Sequence, residues 1–382
     1  MAKFCGLQLM MFVVLILTLT VPCSADVGLT WSGDLTVEEN IQDGQWADDS
    51  FLHLKMNLNN GENQRGVVLL KYLTPDPAQP SPNDLGSLAV YQAYIDLIPS
   101  PGLLLRLGRQ NIAWGSGFFW NPTNYIGSGK DRADFMIDNP GVDAIDAEYI
   151  QGKSSLMANL KPGDNWYATG KAIKAATQIG HCDLAVSAFE QDTTKAFGLD
   201  FATVVGNNTI YNETAWKAGE DNRFYISGGA EYATRSADQY YLHEVIGVNH
   251  TFAENTFLIM EYYYNQAGWN QQEADAFNSY SGSDKPALIG LKTSTFLADL
   301  RQNYLFLTFS TANFIMDDFT LSASVVWNID DQSCLITPIL RYDIGQNTYF
   351  ALNTNIFSGA QTSEFGSFIY KTLINAQVVL SF

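Results

Sequence analysis

The chain closes on Leu373-Ile374-Asn375-Ala376-Gln377-Val378-Val379-Leu380-Ser381-Phe382. Ile374, Ala376, Val378, Leu380 and Phe382 make one unbroken apolar set, while Leu373, Asn375, Gln377, Val379 and Ser381 between them are mixed. A period of two puts alternate side chains on opposite faces of an extended strand. This segment therefore has one continuous apolar face, over the roughly 9 to 11 residues that a tilted strand needs to cross a bilayer.

The pattern repeats back to Val27 in runs of similar length. Cys334, Ile336, Pro338, Leu340 and Tyr342 stand opposite Leu335, Thr337, Ile339, Arg341 and Asp343; Leu321, Ala323, Val325 and Trp327 stand opposite Thr320, Ser322, Ser324 and Val326. Leu52, Leu54, Met56 and Leu58 alternate with Phe51, His53, Lys55 and Asn57, and Ala89, Tyr91, Ala93, Ile95 and Leu97 with Leu88, Val90, Gln92, Tyr94 and Asp96. Soluble sandwiches also alternate, but their strands are usually about five or six residues long. The 19 Tyr, 23 Phe and 8 Trp gather at run ends, as at Tyr240, Tyr241, Tyr262 to Tyr264 and Trp327, where membrane interfaces favour aromatic rings. No apolar run of about 20 residues follows the start of the chain, so helical spanning is excluded and a closed barrel is the remaining way through lipid.

The expected fold is thus all-β, a transmembrane antiparallel β-barrel. Nineteen runs can be counted, and bacterial barrels close with an even number. Eighteen strands are expected, within a range of 16 to 20, with the miscounted run between 141 and 255.

Residues 1–25 hold one Lys, an apolar run and a small-residue end before Asp26, the order of a cleaved secretory signal peptide. The barrel then occupies 26–382. Cleavage removes one of 21 basic residues and none of 40 acidic ones, leaving a formal charge of −20 that disfavours nucleic acid as a partner. Cys182 and Cys334 remain, too few for a disulfide framework. Neither has a CxxC companion or a nearby His at ligand spacing, so no metal and no cofactor is expected.

Connections alternate long and short: 40–49 long, 59–65 shorter, 74–84 long, 99–102 tight, and then 113–140 much longer than its neighbours. This last is the third on its side. Around it lie Arg106-Leu107-Gly108-Arg109-Gln110, Ala113-Trp114-Gly115, Asn121-Pro122-Thr123 and Pro140-Gly141-Val142-Asp143-Ala144-Ile145. These residues resemble a segment shared by a broad group of porin-like outer-membrane barrels, similar in general plan to phosphate-selective and alginate-export porins. The resemblance covers about 45 residues. It implies a passive channel for small polar or ionic solutes, narrowed by a third outer loop folded into the lumen. The C-terminal strand ending on an aromatic residue likewise resembles the signal read by the outer-membrane assembly machinery, with Val378, Leu380 and Phe382 as its apolar positions.

By parity Arg106 faces the lumen, and Arg109 with Gln110 lies at the outer end of the same strand. Lys130, Asp131, Arg132, Asp134 and Asp138 form a mixed-charge cluster on the loop. Opposed acids and bases across a constriction would set a transverse field and an ion preference, so Arg106, Arg109 and these five are the candidate constriction residues. A second long connection, 266–303, carries Trp269, Phe277, Tyr280 and Phe296 among polar residues, as a lid, a partner surface or an ordinary outer loop.

Two other functions are compatible with a barrel of this kind. An outer-membrane lipid hydrolase needs Ser and His projecting together from the outer face, and no GxSxG or HExxH surrounds His53, His181, His243 or His250. A sheath or docking ring for a partner such as a redox carrier is compatible with the same barrel. The acids scattered through the loops suit divalent cations that bridge lipopolysaccharide. Membrane lipid, lipopolysaccharide, the assembly machinery and small polar solutes are the expected partners; the alternation leaves monomer and homotrimer equally open.

Overall fold

The computed structural model describes residues 28–42, 45–59, 63–73, 86–127, 140–219, 238–253, 255–279, 299–368 and 371–382. The expected signal segment lies outside them. Among the described residues the alternating runs become eighteen strands of one sheet. The first six are β1 (Gly28–Gln42), β2 (Gln45–Asn59), β3 (Gln64–Leu73), β4 (Ser87–Ser100), β5 (Leu103–Gln110) and β6 (Val142–Gln151). Then come β7 (Ser154–Lys161), β8 (Gly170–Ile179), β9 (Cys182–Gln191), β10 (Thr194–Val205), β11 (Asn208–Ala218) and β12 (Tyr241–Ala253). The last six are β13 (Thr256–Asn265), β14 (Asn303–Thr311), β15 (Phe319–Asn328), β16 (Ser333–Asp343), β17 (Thr348–Ser358) and β18 (Thr372–Ser381). Each pairs antiparallel with its chain neighbours, and β1 pairs with β18 through Asp34↔Ser381, Val37↔Val378 and Gln42↔Leu373. Closure satisfies every strand's edge, which is what hydrocarbon demands of a sheet.

Phe382 completes the seam. Its N–H donates to the Gly33 carbonyl at 2.9 Å and its carbonyl accepts from the Gly33 N–H at 3.0 Å. A side chain at Gly33 would start 2.5 Å from the His53 carbonyl oxygen and 2.8 Å from the Phe382 ring, so the glycine is what lets the terminal ring lie against β1.

Both described ends of the barrel lie on one rim, with tight connections such as 101–102, 152–153, 180–181 and 206–207. The opposite rim carries the long ones, 74–86, 111–141, 219–240, 266–302 and 359–371. The region 141–255, where the strand count was uncertain, holds β6 to β12; its two-residue turns barely interrupt the alternation and so hide the boundaries. Two expectations are corrected. The connection 40–49 is not long, because Gln42 pairs with Gln45 and only 43–44 join β1 to β2. Its polar residues mark where the hairpin leaves the apolar layer, while the backbone ladder continues through fifteen residues on each strand. The run 88–97 does not keep one parity either. Between the pairs Leu69↔Gln92 and Leu70↔Val90 the strand itself carries one extra residue, Tyr91, and this bulge shifts the register, so that Leu88, Val90 and Ile95 are all exposed at 65, 40 and 43%.

Elsewhere the two faces are plainly different. One exposes Val37, Val186, Leu199, Val378 and Leu380; the other buries Asp96, Asn159, Glu213 and Glu261. In a closed barrel the apolar set faces lipid and the polar set faces the lumen. The connection after β13 forms α1 (Gln271–Ser279). Asn270 accepts from the Glu273 N–H at 3.0 Å while the Glu273 carboxylate accepts from the Asn270 N–H at 2.9 Å, a reciprocal cap. Trp269 and Phe277, buried with rings 5.0 Å apart, fasten the helix down; Tyr280 and Phe296 lie outside the described residues.

Candidate functional site

Residues 112–126 leave β5 and pack against the inward face of the wall. Ile112, Trp114 and Ile126 bury against Ala144 of β6, Ala172 of β8, Phe189 of β9 and Ala196 of β10. Phe119 and Trp120 join Tyr211 of β11, Val245 of β12, Tyr263 of β13, Tyr304 and Phe306 of β14, and Val326 of β15. Phe119 stacks on Phe306 with centroids 4.3 Å apart, and Trp120 on Tyr263 at 5.0 Å. A segment in contact with the inner face of so many successive strands lies within the lumen.

An irregular segment in such a place must dispose of its backbone N–H groups. Two strand carboxylates take them. Glu213 accepts from the Gly117 N–H at 2.5 Å, the Asn121 amide at 2.9 Å and the Thr123 N–H at 3.3 Å. Glu261 accepts from the Phe118 N–H, from Phe119 N–H at 2.9 Å and Trp120 N–H at 3.2 Å, and from the Tyr211 hydroxyl at 2.7 Å. Four consecutive amides thus converge on two anions, the arrangement of a backbone nest. The Thr123 hydroxyl lies 2.9 Å from both Glu213 and Asp200 of β10. Gly115, at φ +96°, permits the approach: a Cβ there would meet the Glu213 carboxylate at 2.3 Å. Tyr125 stacks on Phe189 at 5.6 Å, and burial pushes its hydroxyl above the usual phenol range.

The last long connection folds inward as well. Phe365 and Phe368 are buried, and Glu364 accepts from the Tyr304 hydroxyl at 2.6 Å and the Asn328 amide at 2.9 Å. The Trp120 indole N–H donates to Asp299 at 3.1 Å, tying 112–126 to the end of the connection that bears α1.

The wall at β3 to β5 is built on the opposite charge logic. Asp96, fully buried, accepts from Arg65 Nε at 2.5 Å and from Arg106 Nε and Nη2 at 2.6 and 3.0 Å. Arg106 also lies 4.2 Å from the Tyr94 ring, and Asn159 donates to the neighbouring Asp146 at 2.5 Å. Beneath 115–116 a cavity of about 530 Å³ opens between Glu148, Lys174, Asp183 and Asp200, with Lys174 3.2 Å from Asp200.

No family model and no curated protein matches the sequence. Among solved structures the chain is similar to OccD3 (OpdP) of Pseudomonas aeruginosa, at 11% identity and TM-score 0.58 over 94% of this chain and 92% of that one. It is also similar to OccK11 (OpdR) of the same organism, at 8% identity and TM-score 0.58 over 94% and 96%, and to OccK5 (OpdH), at 8% and 0.55 over 94% and 97%. The fold is that of a porin-like outer-membrane barrel. At these identities the likeness speaks for the fold alone.

Within this porin-like barrel, Arg106 faces the lumen as parity requires. Arg109 does not join it. Its odd offset of three residues from Arg106 puts Arg109 on the outward face, where it holds Asp143 through bonds of 3.0 and 2.7 Å at the rim of long connections; the expectation of a constriction role there is corrected. Gln110 instead turns inward and anchors the start of the segment on the Ala144 carbonyl at 3.0 Å. Lys130, Asp131, Arg132, Asp134 and Asp138 lie outside the described residues. Asp96, Arg65, Asp200, Glu213, Glu261 and Glu364 were not singled out from the sequence. Their one signal was an acid or base inside an alternating run at inward parity. Of the histidines, His53 bonds Asp34 at 3.1 Å, His243 the Tyr263 hydroxyl at 3.0 Å and His250 the Asn208 amide oxygen at 2.8 Å.

Proposed function

We propose that this chain is an outer-membrane diffusion channel for small polar or ionic solutes, with 112–126 narrowing its lumen. The carrying observation is the grip of Glu213 and Glu261 on four consecutive backbone amides, which gives an inward loop a fixed place. A fixed loop beside an arginine-bearing wall forms a polar passage whose width does not depend on a partner. Lys130, Asp131, Arg132, Asp134 and Asp138 follow in the same connection and give it mixed charge. Phe119, Trp120, Phe365 and Phe368 pack together on the inward face of the wall, where a docking ring would keep room for its guest.

The orientation follows from the rims: short turns and both chain ends in the periplasm, long acidic connections outside against lipopolysaccharide. Phe382, Leu380 and Val378 on the outward face of β18 serve the assembly machinery, and lipid covers the apolar band. Purified barrel in a planar bilayer should show discrete conductance steps that scale with salt concentration. A folded barrel that inserts and remains silent would exclude the channel and leave the ring for a partner such as a redox carrier.

A further inference from the structure

The connection 312–318 between β14 and β15 stands out on the rim of short turns. Most of its neighbours there are two-residue turns with small or polar residues, whereas this one presents Phe314, Ile315 and Met316 at 49, 73 and 56% exposure. It is not a slack loop. Phe314 N–H donates to the Phe319 carbonyl at 3.0 Å, Ala312 N–H to Asn255 at 3.1 Å, and Asp343 N–H to Asp318 at 2.9 Å. Its two left-handed residues, Asn313 at φ +56° and Asp318 at φ +68°, are of the types that tolerate that conformation. Three adjacent apolar side chains are therefore held out by a built turn. The outward apolar band ends directly beside them, at Phe319 and Tyr342, whose rings are 6.4 Å apart, and at Ile344, 59% exposed.

We propose that Phe314, Ile315 and Met316 seat in the headgroup and upper acyl region of the bilayer leaflet around this rim, as an interfacial anchor that fixes the depth of the barrel. The continuity of the turn with the lipid-facing band selects lipid over a soluble protein as its occupant, and amphipathic boundary zones favour aromatic and large apolar side chains. The inference rests on the reading of the outward band as lipid-facing.

The test uses the full chain with its four native cysteines replaced by Ser. Ile315→Cys carries an environment-sensitive nitrobenzoxadiazole label, in vesicles of phosphatidylethanolamine and phosphatidylglycerol with or without brominated acyl chains. Leu199→Cys, in the middle of the band, is the internal standard. The anchor predicts blue-shifted emission at 315, strong loss with lipid brominated near the headgroup, weaker loss with deep bromine, and protection from aqueous iodide. Met316→Cys should repeat the result if the label at 315 disturbs folding. Water-like emission at 315 that iodide quenches, with Leu199→Cys still quenched by lipid, overturns the anchor and leaves the rim free for a soluble partner. Absence of lipid quenching at both positions overturns the lipid-facing reading itself.

Discussion

The wall formed by β10, β11 and β13 and the wall formed by β3 to β5 both place charge in the lumen, yet they spend it differently. On the first, Glu213 and Glu261 are consumed by neutral donors, mostly of the chain's own loop, and their role is mechanical, while Asp200 divides itself between the Thr123 hydroxyl and Lys174. On the second, two guanidiniums share one buried carboxylate, and Arg65 keeps a side-chain exposure of 57%. An acid surrounded by backbone amides has no capacity left for a solute. A base pair sharing one acid keeps donors for whatever passes. Charge of either sign in a pore can thus be architecture or filter, and the identity of its partner decides which.

The largest break in this comparison is Glu213→Ala with Glu261→Ala. Hydrogen bonds to a charged group contribute about 1.5 to 3 kcal/mol each, so losing both anchors should lower stability by at least about 3 kcal/mol and release 112–126. Urea midpoints of the reconstituted barrel measure this; an unchanged midpoint would mean that the aromatic stacking alone holds the segment. Next, Leu199→Arg on the outward face should cost about 2 to 4 kcal/mol near the membrane midplane, while Asn375→Arg, inward and beside Glu38, should cost much less. Equal losses would reverse the assignment of the two faces.

Arg106→Gln should cost about 1.5 to 3 kcal/mol, because Arg65 still serves Asp96, and reversal potentials in a salt gradient should move toward cation preference. The smallest effect sharpens the contrast within one strand. Arg109 and Asp143 form an exposed pair, worth about 0 to 1 kcal/mol, so Arg109→Gln should leave both stability and selectivity nearly as they were. A shift in selectivity equal to that of Arg106→Gln would bring Arg109 back into the pore.

Much of the fold was legible in sequence because the bilayer imposes a strict code: alternation for each strand, an even count, an aromatic end. The terminal strand and the facing of Arg106 follow from it directly. What the code does not carry is where the ladder ends in water, which is why β1 and β2 run through the acidic residues expected to form a loop. Nor does it carry a one-residue bulge, which flips the parity at Val90 without changing composition. The candidate site was half legible. The glycine-rich segment 113–127 announced irregular backbone, but its acceptors, Glu213 and Glu261, lie about 90 to 140 residues away in sequence. An acid at inward parity looks the same from sequence whether it faces water or a loop amide.

The central claim is that 112–126, held by Glu213 and Glu261, sets the narrowest part of the passage. Single-channel conductance in planar bilayers, compared between the native chain, Glu213→Ala with Glu261→Ala, and a loop shortened across 127–138, tests it most directly. The account predicts larger conductance and weaker ion selectivity in both altered barrels, with the strand content intact. Native conductance and selectivity in both would contradict it and place the filter elsewhere in the lumen.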